Sequence, residues 1–207
     1  QSLEWSDSAV DGAHRFLRRL WRQVFDHVGA GPVPALDPAA LDGPLKALRR
    51  QVHETIAKVD DDLGRRYTFN TAIAKVRELL NALSGLEAAS DAARAVRHEG
   101  LETAVLLLSP ITPHIADELW RALGHDEAVI DAAWPRADEA ALARDTVRMV
   151  VQVNGKKRGN VEVPADADRA AIEQVAMAAD NVARFLEDGE VRKVIVVPGR
   201  LVNIVVA

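Results

Sequence analysis

Residues Val150–Pro164 read VVQVNGKKRGNVEVP and mark a change in the periodicity of the chain. Apolar residues alternate with other residues on both sides of Asn154–Gly155, which is the pattern of two half-buried β-strands. Asn-Gly between two such strands is a strong signal for a tight hairpin. The stretch therefore predicts that the chain turns from helices to a β-sheet at this point.

The pleat of the strands favours a three-residue loop over Asn154–Lys156. A two-residue turn would place apolar and polar residues on the same face, whereas the longer loop keeps one face apolar. In this register Arg158 shares a face with Arg148 and Gln152. The expected pairs are Val153 with Lys157, Val151 with Gly159, Met149 with Val161 and Val147 with Val163.

On the C-terminal side of this hairpin the sequence predicts two short helices and a second hairpin. The helices are expected near residues 168–178 and 180–187. The hairpin joins Val191–Val197 to Leu201–Val206 through Pro198–Gly199. The order ββ-α-ββ indicates a small α+β domain over residues 146–207.

On the N-terminal side, residues 1–125 have helical periodicity throughout and predict an antiparallel bundle of five helices. Asp37–Pro38 is a helix-start signal for the second helix, and Thr112–Pro113 is one for the fifth. The third helix is expected from about Asn70 to near Gly85, and the fourth over Asp91–Leu108. The first helix carries the predicted buried stripe of Leu17, Leu20, Trp21, Val24 and Val28.

The predicted architecture is thus multi-domain, α then α+β: a helix bundle, a linker over 126–145 and the small domain. The linker has few apolar anchors, so some hinge freedom is expected. The chain begins with Gln1 and not with Met, and its two methionines, Met149 and Met177, lie far inside, so a piece of a longer protein is expected. No signal peptide opens the sequence. Its longest apolar run, Ala104–Leu108, is too short to span a bilayer. With no cysteine, thiolate metal sites and cysteine nucleophiles are excluded.

No constellation of residues typical of catalysis is present in the sequence. There is no phosphate-binding loop, no glycine-rich dinucleotide turn and no serine in a nucleophile elbow. His114 and Glu118 are four residues apart, but a zinc-protease helix needs a second histidine that is missing here. We therefore expect no catalytic residue, no metal ligand and no cofactor in this chain.

A row of arginines on the first helix is one of two basic features. Arg15, Arg18, Arg19 and Arg22 are spaced so that they lie along one side of the helix. Like charges this close repel each other, and phosphate groups would relieve the repulsion because arginine binds them in a bidentate way. Pairing with acids such as Asp11 and Asp26 would relieve it equally, and the sequence alone favours neither explanation.

The second basic feature is the tip of the first hairpin, with Lys156, Lys157 and Arg158 in sequence. Charged residues at a hairpin tip often only keep a sheet edge soluble. Three cations beside a rigid turn are also suited to an RNA backbone. The net charge of −5 excludes a uniformly basic nucleic-acid binder, so any such binding must be local. Residues 146–207 carry nine basic and eight acidic residues, whereas residues 1–145 carry 17 and 23.

Four stretches of the chain, in this order, resemble the C-terminal portion of bacterial-type leucyl-tRNA synthetases. WSDSAVDGAHRFLRRLW (Trp5–Trp21) resembles the helix that follows the catalytic core in class I synthetases for leucine, isoleucine and valine. YTFNTAIAKVRELLNAL (Tyr67–Leu83) and LLLSPITPHIADELW (Leu106–Trp120) resemble the paired helices of the bundle that these enzymes share, often called the anticodon-binding domain. The fourth, VVQVNGKKRGNVEVP followed by VRKVIVVPGRLVNIVV (Val191–Val206), resembles the C-terminal appendage of the leucine enzymes. Lys157 departs from this pattern, which has a small or apolar residue there.

The resemblance implies a chain that binds tRNA-Leu and positions it for N-terminal catalytic and editing domains of the same protein. ATP and Mg²⁺ act in the full enzyme, whose HIGH and KMSKS motifs are absent here. It further implies that the helical domain holds the tRNA body and that the small domain reaches the elbow, through shape and backbone contacts. The implied contacts are Lys156, Lys157 and Arg158, then Arg192, Lys193 and Arg200, and the row Arg15, Arg18, Arg19 and Arg22. A cytoplasmic location is expected.

Two other functions remain open at this point. The helical part could be a protein–protein adaptor whose basic side binds an acidic partner. The chain could also be the equivalent portion of an isoleucyl- or valyl-tRNA synthetase.

Overall fold

The computed structural model describes residues 6–87, 89–144, 146–183, 185 and 190–206. The described residues fall into two compact units, which divide between Leu142 and Ala143. The first is helical and the second contains a four-stranded mixed sheet, in agreement with the expected order of α followed by α+β. Within the described part of the chain, no helix has the length and apolarity needed to cross a membrane.

The first unit is built from α-helices, six of them over its described residues. They are α1 (Asp7–Gly29), α2 (Gly43–Asp61), α3 (Phe69–Ser84), α4 (Asp91–Leu108), α5 (Pro113–Ala122) and the short α6 (Glu139–Leu142). The expected bounds of α3, α4 and α5 agree closely with the structure. Ser6 and Ser90 accept hydrogen bonds from the first turns of α1 and α4, which explains where those helices begin.

The start of α2 differs from the prediction. Asp37–Pro38 begins only a single 3₁₀ turn, Pro38–Ala40. The helix itself begins five residues later, at Gly43, where the Asp42 carboxylate accepts a hydrogen bond from the Leu45 amide at 2.9 Å. Both aspartates satisfy the same rule, since each is followed closely by a proline. Leu41, between the two aspartates, and Leu45, in the first turn of the helix, are both buried.

Apolar stripes from α1 to α5 meet in one core. Leu79, Leu101 and Leu107 are among its fully buried members. Only part of the predicted stripe on α1 is buried: Leu20 and Val24 are inside, but Trp21 is 39% exposed. Trp21 stacks on Phe25, which is also 39% exposed, with ring centroids 4.8 Å apart.

The segment after α5 packs against the helical unit. Val129 is 4% exposed, Trp134 packs on the same core, and the Trp134 indole donates to Asp60 at 3.0 Å. The segment expected as a linker, 126–145, therefore contributes residues to the first unit up to Leu142. Its anchors are single and irregularly spaced, so they leave no periodic pattern in the sequence. Asp145 lies outside the described residues.

The second unit is built on the sheet order β2-β1-β4-β3. Its strands are β1 (Thr146–Val153), β2 (Lys156–Pro164), β3 (Val191–Val197) and β4 (Leu201–Val206). The β1–β2 and β3–β4 pairs are antiparallel, and β1 runs parallel to β4. Helix α7 (Arg169–Ala178) and the short α8 (Asp180–Ala183) pack on one face, where Met149, Val151 and Ile204 are fully buried. The helix expected over 180–187 is described only to Ala183, because Arg184 and residues 186–187 lie outside the described residues.

Candidate nucleic-acid interface

The arginine row lies on the exposed side of α1. Arg15, Arg18, Arg19 and Arg22 are all exposed and together line one shallow depression of the surface. The helix begins under a Ser6 cap and packs on the core through Leu20 and Val24, so its opposite side faces solvent. The geometry thus brings all four predicted residues into one continuous patch.

Arg19 is fixed in this patch by neutral acceptors on α3. Its guanidinium donates to the Asn81 side-chain oxygen and, at 2.7 Å, to the Ser84 hydroxyl. In the described part of the chain, no ion pair joins any of the four arginines to Asp11, Asp26 or another acid. Because the acceptors are uncharged, Arg19 is held in place while its positive charge is kept.

Arg77 of α3 is a neighbouring cation that sequence reasoning missed. Its guanidinium carbon lies 5.1 Å from the centre of the Phe16 ring on α1, which is cation–π distance. Helical spacing could have indicated it, because Arg77, Asn81 and Ser84 are four and three residues apart and share one side of α3. The prediction for α3 rested on its buried stripe, which lies on another side of the helix.

The hairpin tip in the second unit differs in detail from the prediction. Asn154 and Gly155 form a two-residue turn with positive φ values of 49° and 77°, which is the type I′ geometry that matches the twist of the strands. The predicted pairs of Val151, Met149 and Val147 are confirmed, but Val153 pairs with Lys156 and not with Lys157. A β-bulge at Arg158 absorbs the one-residue difference between turn and register.

The bulge changes the surroundings of the three tip cations. Arg158 does not lie free beside Arg148 and Gln152: its guanidinium carbon is 4.0 Å from the centre of the Phe185 ring, and its Nε atom is buried. Lys157 pairs with Gln152 and not with Val153. Lys156 and Lys157 are exposed, which leaves them as the accessible cations of the tip.

Asn154 connects the turn to β4. Its side chain donates to the Val206 carbonyl at 3.1 Å and accepts from the Val206 amide at 2.9 Å. The Gly155 amide donates to the Asn203 side chain at 3.1 Å. The tip is thus held by the neighbouring strand as well as by its own ladder.

Arg192 and Lys193 lie at the end of the sheet that carries the hairpin tip, whereas Arg200 does not. Val191 pairs with Val206, so Arg192 and Lys193 lie at the same end of the sheet as the tip. They are on the opposite edge, about 14 Å away across three strand spacings. Arg200 lies in the turn before β4, at the far end, where its carbonyl accepts from the Val150 amide. All three are exposed.

Behind the arginine row, α1 is anchored to α4 by buried polar groups. His27 is 3% exposed, and one nitrogen of its ring lies 3.2 Å from a ring nitrogen of His98. Burial, together with the nearby His98, Arg97 and Arg94, lowers the pKa of His27 to about 4, against the opposing effect of Glu102. Burial of Glu102 opposes its ionisation, but contacts with His98 and His125 bring the pKa of its carboxyl below the ordinary value. His27 is thus neutral and structural.

The acid between His114 and Glu118 in the chain, Asp117, has structural contacts. Asp117, beside His114, accepts from the Val129 amide at 2.9 Å and from Arg121 at 3.1 Å. Those bonds, the one from the Val129 amide first, hold the pKa of Asp117 below its usual value. Over the described ranges, no cluster of three or more histidine, aspartate or glutamate side chains is arranged to hold a metal ion.

In amino-acid sequence the chain is similar to tRNA ligases. Residues 46–175 match a protein family described as the anticodon-binding domain of tRNA ligase. The chain is 66% identical over 207 residues to the leucine–tRNA ligase of Alkalilimnicola ehrlichii, which covers 99% of this chain and 24% of that protein. It is 62% identical over 205 residues to the leucine–tRNA ligase of Alcanivorax borkumensis, covering 99% of this chain and 25% of that protein. The chain thus spans about a quarter of the length of these relatives.

A solved structure has the same fold over nearly the whole chain. It is the crystal structure of the ternary complex of Agrobacterium radiobacter K84 agnB2 LeuRS, tRNA and LeuAMS. The match has a TM-score of 0.83 and 26% sequence identity, and it covers 99% of this chain and 27% of that one.

Proposed function

Because the chain belongs to the anticodon-binding domain family of tRNA ligases, we propose that it is the tRNA-binding C-terminal part of a leucine–tRNA ligase. In this role it positions tRNA-Leu for aminoacylation by catalytic and editing domains outside residues 1–207. The observation that carries the proposal is the 66% identity to a leucine–tRNA ligase over 99% of the chain. An origin in an isoleucine or valine enzyme is disfavoured by the same observation.

Each unit has its own part in the proposal. The helical unit is the antiparallel bundle of the family and holds the body of the tRNA through Arg15, Arg18, Arg19 and Arg22. The second unit is the small ββ-α-ββ domain and reaches the elbow of the tRNA. There Lys156 and Lys157 contact the backbone directly, with Arg192, Lys193 and Arg200 as further contacts. Arg158 shapes the tip from its position on Phe185.

The proposed chemistry of this chain is binding alone. ATP and Mg²⁺ act in the catalytic domains of the whole enzyme, and the sequence contains neither the HIGH nor the KMSKS motif that would bind ATP here. Leucine-dependent exchange between ATP and pyrophosphate by residues 1–207 alone would contradict this assignment. The proposed location is the cytoplasm, where charging of tRNA takes place.

Direct binding tests the proposal most simply. The chain of residues 1–207 is titrated against a fluorescently labelled tRNA-Leu transcript at several salt concentrations. Arginines and lysines that neutralise phosphates release counterions, so the affinity should fall steeply as salt rises. An affinity that does not change between low and moderate salt would contradict an electrostatic contact with RNA.

The protein–protein adaptor is distinguished by its partner. A pull-down with the same chain should recover tRNA, and ribonuclease should remove it. Recovery of protein alone, unchanged by ribonuclease, would favour the adaptor over the tRNA-binding part of a ligase.

In the whole enzyme, the Lys156→Gln/Lys157→Gln variant should raise the KM for tRNA and leave the KM for ATP unchanged. The two lysines are exposed, so their replacement removes charge without disturbing the core of the small unit. A matched control is Arg169→Gln, which removes a cation from α7 that already pairs with Glu173 at 2.7 Å. Equal increases in both KM values would indicate misfolding and not weaker tRNA binding.

A further inference from the structure

The basic patch on α1 continues onto a second helix. Three residues of α3 contact α1, namely Arg77, Asn81 and Ser84, and Arg77 is the charged one among them. Asn81 and Ser84 hold Arg19 of α1, while Arg77 lies over Phe16 of α1. Arg77 and Arg19 are therefore neighbours along the same seam between the two helices.

The charge of Arg77 is not cancelled by a nearby acid. Glu78, the adjacent residue, faces elsewhere and pairs with Lys75 at 3.0 Å. Within the described residues, Arg77 forms no ion pair and no hydrogen bond, and its guanidinium contacts the Phe16 ring. The N–H groups at the rim of an arginine stacked on a ring remain available, because stacking uses only the flat face of the guanidinium.

The stacking also prepares Arg77 for binding. An arginine held on an aromatic ring has fewer conformations to lose when it contacts a phosphate. Arg19 is held in a comparable way by two neutral acceptors. Two arginines from different helices are thus fixed in place with their charges intact. This occurs in a part of the chain where acids outnumber bases, since residues 1–145 carry 23 acidic and 17 basic residues.

We propose that Arg77 is a fifth phosphate-binding residue of the helical unit and that the RNA-binding surface spans the seam between α1 and α3. This inference rests on the proposed function and extends its contact surface beyond the four arginines of α1. Phe16 is then a positioning residue, which acts by holding the guanidinium of Arg77.

The test measures binding of the tRNA-Leu transcript to the chain of residues 1–207 carrying Arg77→Gln. The dissociation constant should rise roughly 3- to 10-fold at moderate salt, and the slope of log affinity against log salt should decrease by about 1. Arg121→Gln is the matched control, because Arg121 is exposed on α5 and already pairs with Asp117. It should leave both quantities within about twofold of the original chain, because the charge of Arg121 is already balanced by Asp117.

Phe16→Leu removes the ring beneath Arg77 but keeps the charge of Arg77, so it tests whether holding the guanidinium in place contributes to binding. It should weaken tRNA binding in the original chain and have no further effect in the Arg77→Gln background, since the two residues act as one unit. Arg77→Lys should keep the salt slope but lower the affinity, because lysine lacks the planar group that stacks. A lower thermal midpoint for Arg77→Gln with unchanged tRNA binding would overturn the proposal and leave Arg77 a structural residue.

Failure of this inference is distinguishable from failure of the proposed function. The triple variant Arg15→Gln/Arg18→Gln/Arg22→Gln provides the reference. Weak binding by the triple variant together with normal binding by Arg77→Gln would overturn only the role of Arg77. Normal binding by the triple variant would overturn tRNA binding by α1, and the role of Arg77 with it.

Discussion

Among single residues, His27 couples the fold of the helical unit to pH. Its pKa of about 4 in the folded chain lies below the ordinary value of 6.5, because the ring is buried beside His98, Arg97 and Arg94. The unfolded chain therefore takes up a proton below pH 6.5 that the folded chain refuses. The stabilising contribution is complete above pH 6.5 and is lost as the pH falls from 6.5 to 4.

This predicts a specific change for His27→Gln. The full pKa difference corresponds to about 3 kcal/mol, so the variant should lose roughly 2 kcal/mol less unfolding free energy than the original chain between pH 7 and pH 4.5. Urea unfolding followed by tryptophan fluorescence measures it. His14→Gln, an exposed histidine on the same helix, should keep the original pH dependence. An identical pH profile for His27→Gln and the original chain would contradict the assignment.

At the scale of elements, the first hairpin depends on Asn154 for both its turn and its attachment. The residue has a φ of 49°, which asparagine tolerates better than alanine, and it exchanges two hydrogen bonds with Val206. Asn154→Ala should destabilise the small unit by about 1–3 kcal/mol. Faster hydrogen exchange of the β4 amides would report the destabilisation. Asn154→Gly adopts the positive φ easily but lacks the two hydrogen bonds to Val206. Its stability should therefore lie between those of the original chain and of Asn154→Ala. Asn160→Ala is the control on the same hairpin.

The segment after α5 is the second element whose attachment can be tested. Asp138 accepts from Arg49 at 2.9 Å, and its amide donates to His53 at 3.2 Å. The Arg49 hydrogen bond, followed by the Ala140 amide, lowers the pKa of Asp138. Asp138→Asn should therefore loosen residues 126–142 and increase their cleavage by trypsin at Arg136. Asp131→Asn, an exposed change in the same segment, should not. Unchanged cleavage of the Asp138 variant would show that Val129 and Trp134 suffice to hold the segment.

These elements also show how far the sequence could predict the structure. Helix and strand periods indicated α3, α4, α5 and both hairpins because each depends on local spacing. The bulge at Arg158 was not predicted. A two-residue Asn-Gly turn and a continuous apolar face require registers that differ by one residue, and in the folded sheet the bulge accommodates that extra residue. The attachment of residues 126–142 depends on contacts distant in sequence, such as Asp138 with Arg49.

The candidate site was predictable where it consists of repeated charges and unpredictable where it depends on packing. The row from Arg15 to Arg22 follows from helical spacing alone. Arg158 and Arg77 both lie over aromatic rings from distant parts of the sequence, Phe185 and Phe16. They differ in burial, because the Nε atom of Arg158 is buried whereas Arg77 is exposed. Such pairs have no local signature.

At the scale of the whole molecule, the two units have separate cores and separate basic patches. If one tRNA contacts both units, neutralising either patch should weaken its binding independently of the other. Changes at distant sites that share no partners add in free energy, so the fold increases in the dissociation constant should multiply. Arg18→Gln/Arg22→Gln and Lys156→Gln/Lys157→Gln are the two variants, and the combined variant should show the product of their effects on the dissociation constant.

The salt dependence of tRNA affinity is an independent test of the same prediction. Removing one phosphate-binding cation should reduce the slope of log affinity against log salt by about 1, so the slope of the combined variant should fall by roughly the sum of the two single reductions. A combined variant that binds no more weakly than the weaker of its parents would mean that the two patches do not engage the same RNA molecule. One of the two units would then bind a different partner. It is the unit whose variant retains the tRNA affinity of the original chain.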